Sequence, residues 1–535
     1  MTRAEARDAL RSLRGARRAH VVEDVHFVDT LYKGYVTAIM VFLAALGIAK
    51  VLGDSKLTGT ALHDAQTYGT AWVGLLIAAV FALALRSGAR GGPLAPEPAD
   101  VAHVLLAPVP RRSVMTGMAA RQLRGVVLIG VSTGTAIGLA VGPRMGGSYA
   151  AWILSCIAAG IATALGAWGL AAVASGRRWS LLVATGLGVV LIAWSIFDIA
   201  THLTTSPGSA VAAIGFLPAH RSAAAAVGVV GVLAVVLIAF TGLGGVALES
   251  AQRRAALVGQ LRFAATVQDM RAILVLQRQL AAVPLRSTPY LRLRAPRPGA
   301  MRRVGWHRSW RSILRFPPSR VLRHVALALL IGASCVAIVH GTAALVFVAG
   351  VLAWLLGNDV IEPFAQELDH PDIGRGVPQV RGRLLFHLLW APAVYLAGLG
   401  VLGIITAVVL RPGSGTLEIA LAITPLAVGC ALTAAALTVM LGSVATSRLQ
   451  SVGLPELQGL LLIARQGGPP LLATLGLAPI AVATALTRFV DTHHTKAAAN
   501  MRGSIPGITL ATAAFAAMGI AAVLYYVASR KDTVE

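Results

Sequence analysis

Residues whose chemistry suits a metal or catalytic site are few in this chain. Asp491, His493 and His494 lie together in a polar stretch between two apolar ones. Asp198 and His202 lie at a similar place earlier in the chain. A solvated polar loop explains the first group better than a metal or catalytic site. The second group resembles the first only weakly.

The sequence motifs of nucleotide and metal chemistry are missing. There is no G-x-x-x-x-G-K-[ST], whose backbone amides would cradle phosphates, and no H-E-x-x-H. Cys156, Cys335 and Cys430 each lie inside an apolar stretch, at spacings that fit neither a metal site nor a disulfide framework. We therefore expect that the chain is not an enzyme by itself, and that it binds no cofactor and no metal.

The composition is that of a membrane protein. Hydrophobic residues make up 56% of the 535 residues and charged residues 13%, and the mean hydropathy is +0.74. A soluble domain needs about 25% charged residues to cover its surface. The net charge of +24 would suggest a nucleic-acid partner in a soluble chain. Here Lys and Arg cluster between apolar stretches, so we expect no nucleic-acid partner.

The apolar stretches are long enough to cross a bilayer as helices, which takes about 20 residues each. They do not alternate polar with apolar residues as outer-membrane strands do. The sequence therefore predicts an all-α polytopic membrane protein with about 12 transmembrane helices. We place the 12 spans near 35–52, 69–86, 124–142, 150–174, 180–200, 223–247, 322–341, 343–361, 384–410, 417–445, 467–486 and 506–528.

The distribution of basic residues predicts the orientation. With the N-terminus in the cytoplasm, 38 of the 46 Lys and Arg residues fall on the cytoplasmic side, as the positive-inside rule requires. Both termini are then cytoplasmic, and Lys56, Gly208 and Thr495 lie in outside loops. The use of 41 Arg against five Lys suggests a bacterium with a GC-rich genome. We expect a multi-pass protein of the bacterial plasma membrane.

The layout repeats once along the chain. We predict a basic amphipathic cytoplasmic segment over 1–34, a six-span half over 35–248, and a basic cytoplasmic connector with amphipathic helices over 249–320. A second six-span half follows over 321–528, and a cytoplasmic tail over 529–535. Because six spans return the chain to its starting side, the two six-helix halves are predicted to be parallel repeats.

The connector ends in a stretch where Trp306 and Trp310 interleave with Arg311 and Arg315. A basic amphipathic helix with Trp on its apolar side is suited to the lipid headgroup layer, and membrane lipids are an expected partner. The alternative is an ordinary basic linker whose side chains reach anionic lipid.

The loop between the second and third span of each half contains a predicted short helix. In the first half, Val101, Val104 and Leu105 share a face after Asp100, which can cap the helix. In the second half the corresponding face carries an apolar set and the other faces carry acids. That set is Ile361, Phe364, Ala365 and Leu368, with Glu362, Glu367 and Asp369 on the other faces. Such helices could plug a groove on a soluble partner, or pack as a turn on the protein's own spans.

The first loop carries a recognisable motif. Within Gly91–Leu128, Glu97 precedes a stretch with Asp100, Val104–Leu105, Pro108 and Arg111–Arg112. This order resembles the D-x-x-x-L-L-x-x-P-x-x-R-R stretch that leads into the third span of ABC-2-type exporter permeases. The basic amphipathic helix before each half resembles the interfacial helix of that family. The second-half loop keeps the character of the motif but not its spacing.

The resemblance implies a transmembrane subunit of an ABC-type exporter. Separate cytoplasmic ATPase subunits, two for a chain that fuses two six-span units, would then hydrolyse ATP. The apolar spans suggest an amphipathic or lipidic substrate. One alternative is a 12-span secondary transporter of the major facilitator kind, although its short second loop with a G-x-x-x-D-R-x-G-R-like signature is absent. Another is a membrane enzyme acting on lipid-linked substrates.

Overall fold

The structure, a computed structural model, describes residues 59–93, 111–245, six scattered residues between 252 and 263, 286–293, 304–369, 380–443, 467–492 and 496–529. Every regular element in these ranges is helical, which confirms the all-α prediction. The chain divides into two units, Met1–Val283 (unit 1) and Pro284–Glu535 (unit 2). The predicted first span, 35–52, lies outside the described residues.

Between residues 59 and 245, the described part of unit 1 forms five long helices and a short one. They are α1 (Gly59–Ala89), α2 (Arg111–Val141), α3 (Tyr149–Gly176), α4 (Leu181–Thr201), the short α5 (Pro207–Gly215) and α6 (Ala223–Gly242), which ends in a 3-10 turn at Leu243–Gly245. The starts of α3, α4, α5 and α6 follow from a serine at each N-cap. Ser148, Ser180, Ser206 and Ser222 each accept a hydrogen bond from a first-turn amide that has no partner within the helix.

The short helix α5 is buried in unit 1, although the sequence predicted an outside loop there. Eight of its nine residues are buried, all but Pro207. A Cβ on Gly208 would come within 2.2 Å of the Gly74 carbonyl oxygen, so only glycine lets α5 lie this close to α1. The prediction that Gly208 is reachable from outside is therefore wrong.

Unit 2 begins with the short helix α7 (Val304–Ile313), followed after Pro317 by α8 (Pro318–Val339). The remaining helices are α9 (Leu345–Val360), α10 (Glu362–Asp369), α11 (Arg381–Leu410), α12 (Ser414–Ser443), α13 (Gly467–Leu475), α14 (Ala478–Thr492) and α15 (Lys496–Ala528). The largest core cluster joins α9 to α12, with Leu384, Leu388 and Met440 almost fully enclosed.

Two helix pairs of unit 2 are bent, the first at the end of the predicted span 343–361 and the second inside the predicted span 467–486. The chain turns by 61° between α9 and α10 and by 64° between α13 and α14. Among the described residues nine helices are long and apolar enough to cross a membrane, or eleven if each bent pair is one span. At most eleven of the twelve predicted spans thus have counterparts in the part of the chain that the structure describes.

Candidate functional site

The short helix α10 is seated in the core of unit 2 by its apolar face. Ile361, Phe364 and Leu368 are 1%, 0% and 7% exposed, and they belong to the core cluster that includes Leu388 and Met440. The expectation that this face is free to plug a partner's groove is corrected, because the unit's own helices already occupy it. The placement fits the alternative of a turn packed on the protein's own spans.

The acidic side chains of α10 form ion pairs with arginines on α7 and α8. Glu367 is buried, and its Oε2 lies 2.8 Å from Nη1 of Arg308 on α7. Glu362, at the start of α10, pairs with Arg320 near the start of α8. α10 is therefore held on one side by apolar packing and on the other by two ion pairs.

A third ion pair joins α8 to the end of α9. Arg323 pairs with the Asp359 carboxylate, and Arg320 also donates to the Asp359 carbonyl. His324 Nδ1 lies 3.1 Å from the Tyr395 hydroxyl of α11. We call the three arginines and three carboxylates, Arg308, Arg320, Arg323, Asp359, Glu362 and Glu367, the ion-pair cluster. Their formal charges cancel, which offsets the cost of placing them at the end of an apolar helix bundle.

The outward face of α10 is small and polar. Gln366 is exposed and Glu362 is half-buried. These two residues lie one turn apart on one side of the helix, whereas Ala365 is half-buried and packs against the core cluster. Any protein that contacts α10 in this conformation meets this face.

The predicted interfacial helix is present as α7, but part of its apolar side packs on unit 2. Ser309 donates to the Leu388 carbonyl at 3.0 Å, and Ile313 is buried in a cluster that Trp306 and Trp310 pack against. The two Trp side chains are half-buried, and their ring centroids lie 5.7 Å apart.

The basic side of α7 remains open to its surroundings. Arg311 and Arg315 are both exposed. Residues 286–293 of the connector contact the chain just after α7. The Arg286 amide donates to the Arg315 carbonyl and the Tyr290 amide donates to the Leu314 carbonyl, each at 3.0 Å. Arg311 on α7 and Arg315, two residues beyond its end, therefore form an exposed basic edge beside half-buried indoles, and the location of α7 in the lipid headgroup layer stays a prediction.

Most of the first-half motif lies outside the described residues, namely Glu97, Asp100, Val101, Val104, Leu105 and Pro108. Its arginine pair is described: Arg111 and Arg112 begin α2 and are exposed. The following turn is fixed, because Val114 and Met115 are buried in a cluster with Trp168. The pair thus sits on a rigid helix end.

A second polar cluster, which the sequence did not reveal, lies in unit 1. Asp198 is fully buried. Its Oδ2 accepts from the Thr205 amide at 3.0 Å, the Ser206 amide at 2.7 Å and the Ser209 hydroxyl at 2.8 Å, and its Oδ1 accepts from the Thr205 hydroxyl at 2.6 Å. We call these four residues the carboxylate cradle. It fixes α5 to the end of α4.

The sequence offered a partial signal for each cluster. The run of Thr and Ser before Pro207 is a helix N-cap pattern, and a carboxylate near it is a natural acceptor for first-turn amides. Arg320, Arg323 and Asp359 were visible as charges at span ends, but their pairing depends on how α8 and α9 pack.

Comparison with known proteins adds no assignment. No protein family, no curated protein and no solved structure matches this chain.

Proposed function

We propose that this chain is the transmembrane permease subunit of an ABC-type exporter. Separate cytoplasmic ATPase subunits, two per chain, would hydrolyse ATP, and the chain would convert their movement into movement of its spans. The chain would lie in a bacterial plasma membrane with both termini in the cytoplasm. Its sequence supports this division of labour, because it has many apolar helices and no P-loop.

The observation that carries the proposal is the way α10 is attached to the other helices of unit 2. A helix that couples a partner's movement to spans must move with them. Phe364 is fully enclosed, and removing such a side chain from its site costs about 3–5 kcal/mol. The ion pairs of Glu362 and Glu367 connect the same helix to α8 and α7. A push on α10 would therefore be transmitted to α7, α8 and the core.

The direct test is assembly with a P-loop ATPase encoded beside this chain. The two proteins, expressed together and purified in detergent, should remain associated, and the complex should hydrolyse ATP. The chain alone should neither bind nor hydrolyse ATP. Hydrolysis by the isolated chain, surviving removal of contaminating subunits, would refute the proposal.

The contact surfaces are tested separately in the two loops. Replacing Val104 and Leu105 with Asp should weaken ATPase binding by more than about a hundredfold, since two apolar interface anchors contribute about 2 kcal/mol or more each. In unit 2, Gln366→Arg changes the outward face of α10 without touching the core and should also reduce binding. Glu418→Arg is the matched control, because Glu418 is exposed at the end of α12 that is predicted to lie outside.

The competing secondary-transporter interpretation makes the opposite prediction. It requires no partner, so neither the loop substitutions nor Gln366→Arg would affect any association. Co-purification of the ATPase at wild-type yield with the Val104→Asp, Leu105→Asp variant would remove the main support for an ABC-type subunit.

A further inference from the structure

Unit 2 contains an apolar cavity of about 100 Å³ among its long helices. It lies between α8, α9, α11 and α12, and it is also lined by Leu477, in the break between α13 and α14, and by Ile480, in the first turn of α14. The ion-pair cluster lies just beyond one end of the cavity, since the lining residue Leu356 precedes Asp359 by three residues on α9, which is about 4.5 Å along a helix.

The lining carries no charged side chain. Nine of the twenty lining residues are Gly or Ala, and all the others but Cys335 and Thr424 are Ile, Leu or Val. The Thr424 hydroxyl donates to the Ala420 carbonyl of its own helix at 2.7 Å, so it offers no free donor. Water in this space would find almost no hydrogen-bond partner, and apolar cavities of this kind stay dry.

Small residues create this cavity and hold it open. A Cβ on Gly332 would lie 2.5 Å from the Gly403 carbonyl oxygen, and one on Gly400 would lie 2.7 Å from Thr424 Cγ2. The backbones of α8 and α11 therefore touch at Gly332, as glycines allow between membrane helices. Next to these contacts the short Ala and Gly side chains leave space unfilled.

An alkyl chain matches this space in size and chemistry. A dry cavity of about 150 Å³ holds benzene, which has six carbons, so this volume of about 100 Å³ holds roughly four methylene groups. The atoms that line an empty space in a tightly packed helix bundle lack dispersion contacts on one side, and an apolar group that enters the space restores those contacts. The surrounding helices are ones that could span a membrane, and there acyl chains are the most abundant apolar matter.

We propose that this cavity binds the end of one acyl chain of a membrane phospholipid. Only the end of that acyl chain lies within unit 2. This inference does not depend on ATP as the energy source, so it stands or falls separately from the exporter assignment.

The test is photo-crosslinking of the full chain in vesicles of phosphatidylethanolamine and phosphatidylglycerol. A small fraction of the phosphatidylglycerol carries a diazirine near the end of one acyl chain. Mass spectrometry should locate crosslinks on cavity-lining residues such as Cys335, Ile404 and Thr424. Crosslinks on outward-facing residues alone would overturn the proposal, because the bulk bilayer gives those.

A pair of variants on α11 separates the cavity from the bulk bilayer. Gly403 lines the cavity, and Gly403→Leu fills it; crosslinks to the lining should fall about tenfold, since a filled interior has no room for a further group. Gly398→Leu is the matched control, because Gly398 is exposed and a Cβ there meets nothing within 4 Å. The control should crosslink like the wild type.

A milder substitution keeps the test decisive if leucine prevents folding. Gly403→Ala adds a single Cβ whose nearest neighbour is the Ala328 carbonyl oxygen at 3.6 Å, an ordinary contact. It should reduce lining crosslinks severalfold. Equal crosslinking in the wild type and both Gly403 variants would overturn the proposal. So would lining crosslinks that arise only from an added photoactivatable lysophospholipid, because the occupant would then not be a diacyl membrane lipid.

Discussion

The two polar clusters of this protein hold carboxylates among apolar helices in different ways. In unit 2 three arginines neutralise three carboxylates, and the ion-pair cluster joins α7, α8, α9 and α10. In unit 1 Asp198 accepts four hydrogen bonds from amides and hydroxyls, all within residues 198–209.

This difference has structural consequences. The carboxylate cradle is local in sequence, and it fixes one short helix through hydrogen bonds that a charged acceptor strengthens. The ion-pair cluster connects residues 36 to 59 positions apart, such as Arg308 and Glu367, and all its members except Glu367 are partly exposed. We expect the cradle to be rigid and insensitive to salt, and the ion-pair cluster to be weaker and able to rearrange.

The largest effect should come from Asp198→Ala. It leaves the buried Ser206 amide and Ser209 hydroxyl without this acceptor, whereas Thr205 is exposed and its amide and hydroxyl can turn to water. At about 1–3 kcal/mol for each buried group left unsatisfied, the loss of unfolding free energy should reach roughly 4 kcal/mol. Asp198→Asn keeps one acceptor oxygen and should cost about half of that. Thermal unfolding of the purified chain in detergent measures both.

The control for this prediction is Asp491→Ala. Asp491 pairs with Arg502, but the two side chains are 65% and 66% exposed, so the change should be within about 0.5 kcal/mol. Equal destabilisation by Asp198→Ala and Asp491→Ala would contradict the cradle's structural role.

A middle-sized effect is expected for Glu367→Ala. Glu367 is 2% exposed but its partner Arg308 is 33% exposed, so the arginine left behind can still reach water. We expect a loss of about 2 kcal/mol, below the range for fully buried pairs. A double-mutant cycle with Arg308→Ala should give a coupling energy of about 1 kcal/mol. A coupling energy near zero would show that the pair does not hold α10 to α7.

The sequence predicted the helical class and the positions of most of the long apolar helices, because the length and composition of such a helix are local properties of the sequence. It also located α10, from the spacing of Ile361, Phe364 and Leu368. It could not tell which surface would cover that apolar face, since a partner's groove and the core of unit 2 are chemically alike. The burial of α5 was missed because Gly208 reads as a loop residue until Gly74 is known to lie against it.

The smallest predicted effect distinguishes the two clusters by salt. Glu362 and Arg320 form a partly exposed pair, 33% and 13% exposed, so Glu362→Gln should cost about 1 kcal/mol or less. At 1 M salt the Debye length falls to about 3 Å, and the difference between Glu362→Gln and the wild type should shrink. The difference between Asp198→Asn and the wild type should stay the same, because hydrogen bonds in a closed site are screened far less. The measurement is the unfolding midpoint of the three proteins at low and high salt.

If both differences shrink equally, solvent ions reach the cradle and the contrast between a closed hydrogen-bonded site and an open ionic one is wrong. If neither shrinks, the ion-pair cluster is as enclosed as the cradle, and α10 is held more firmly than its exposed pair suggests.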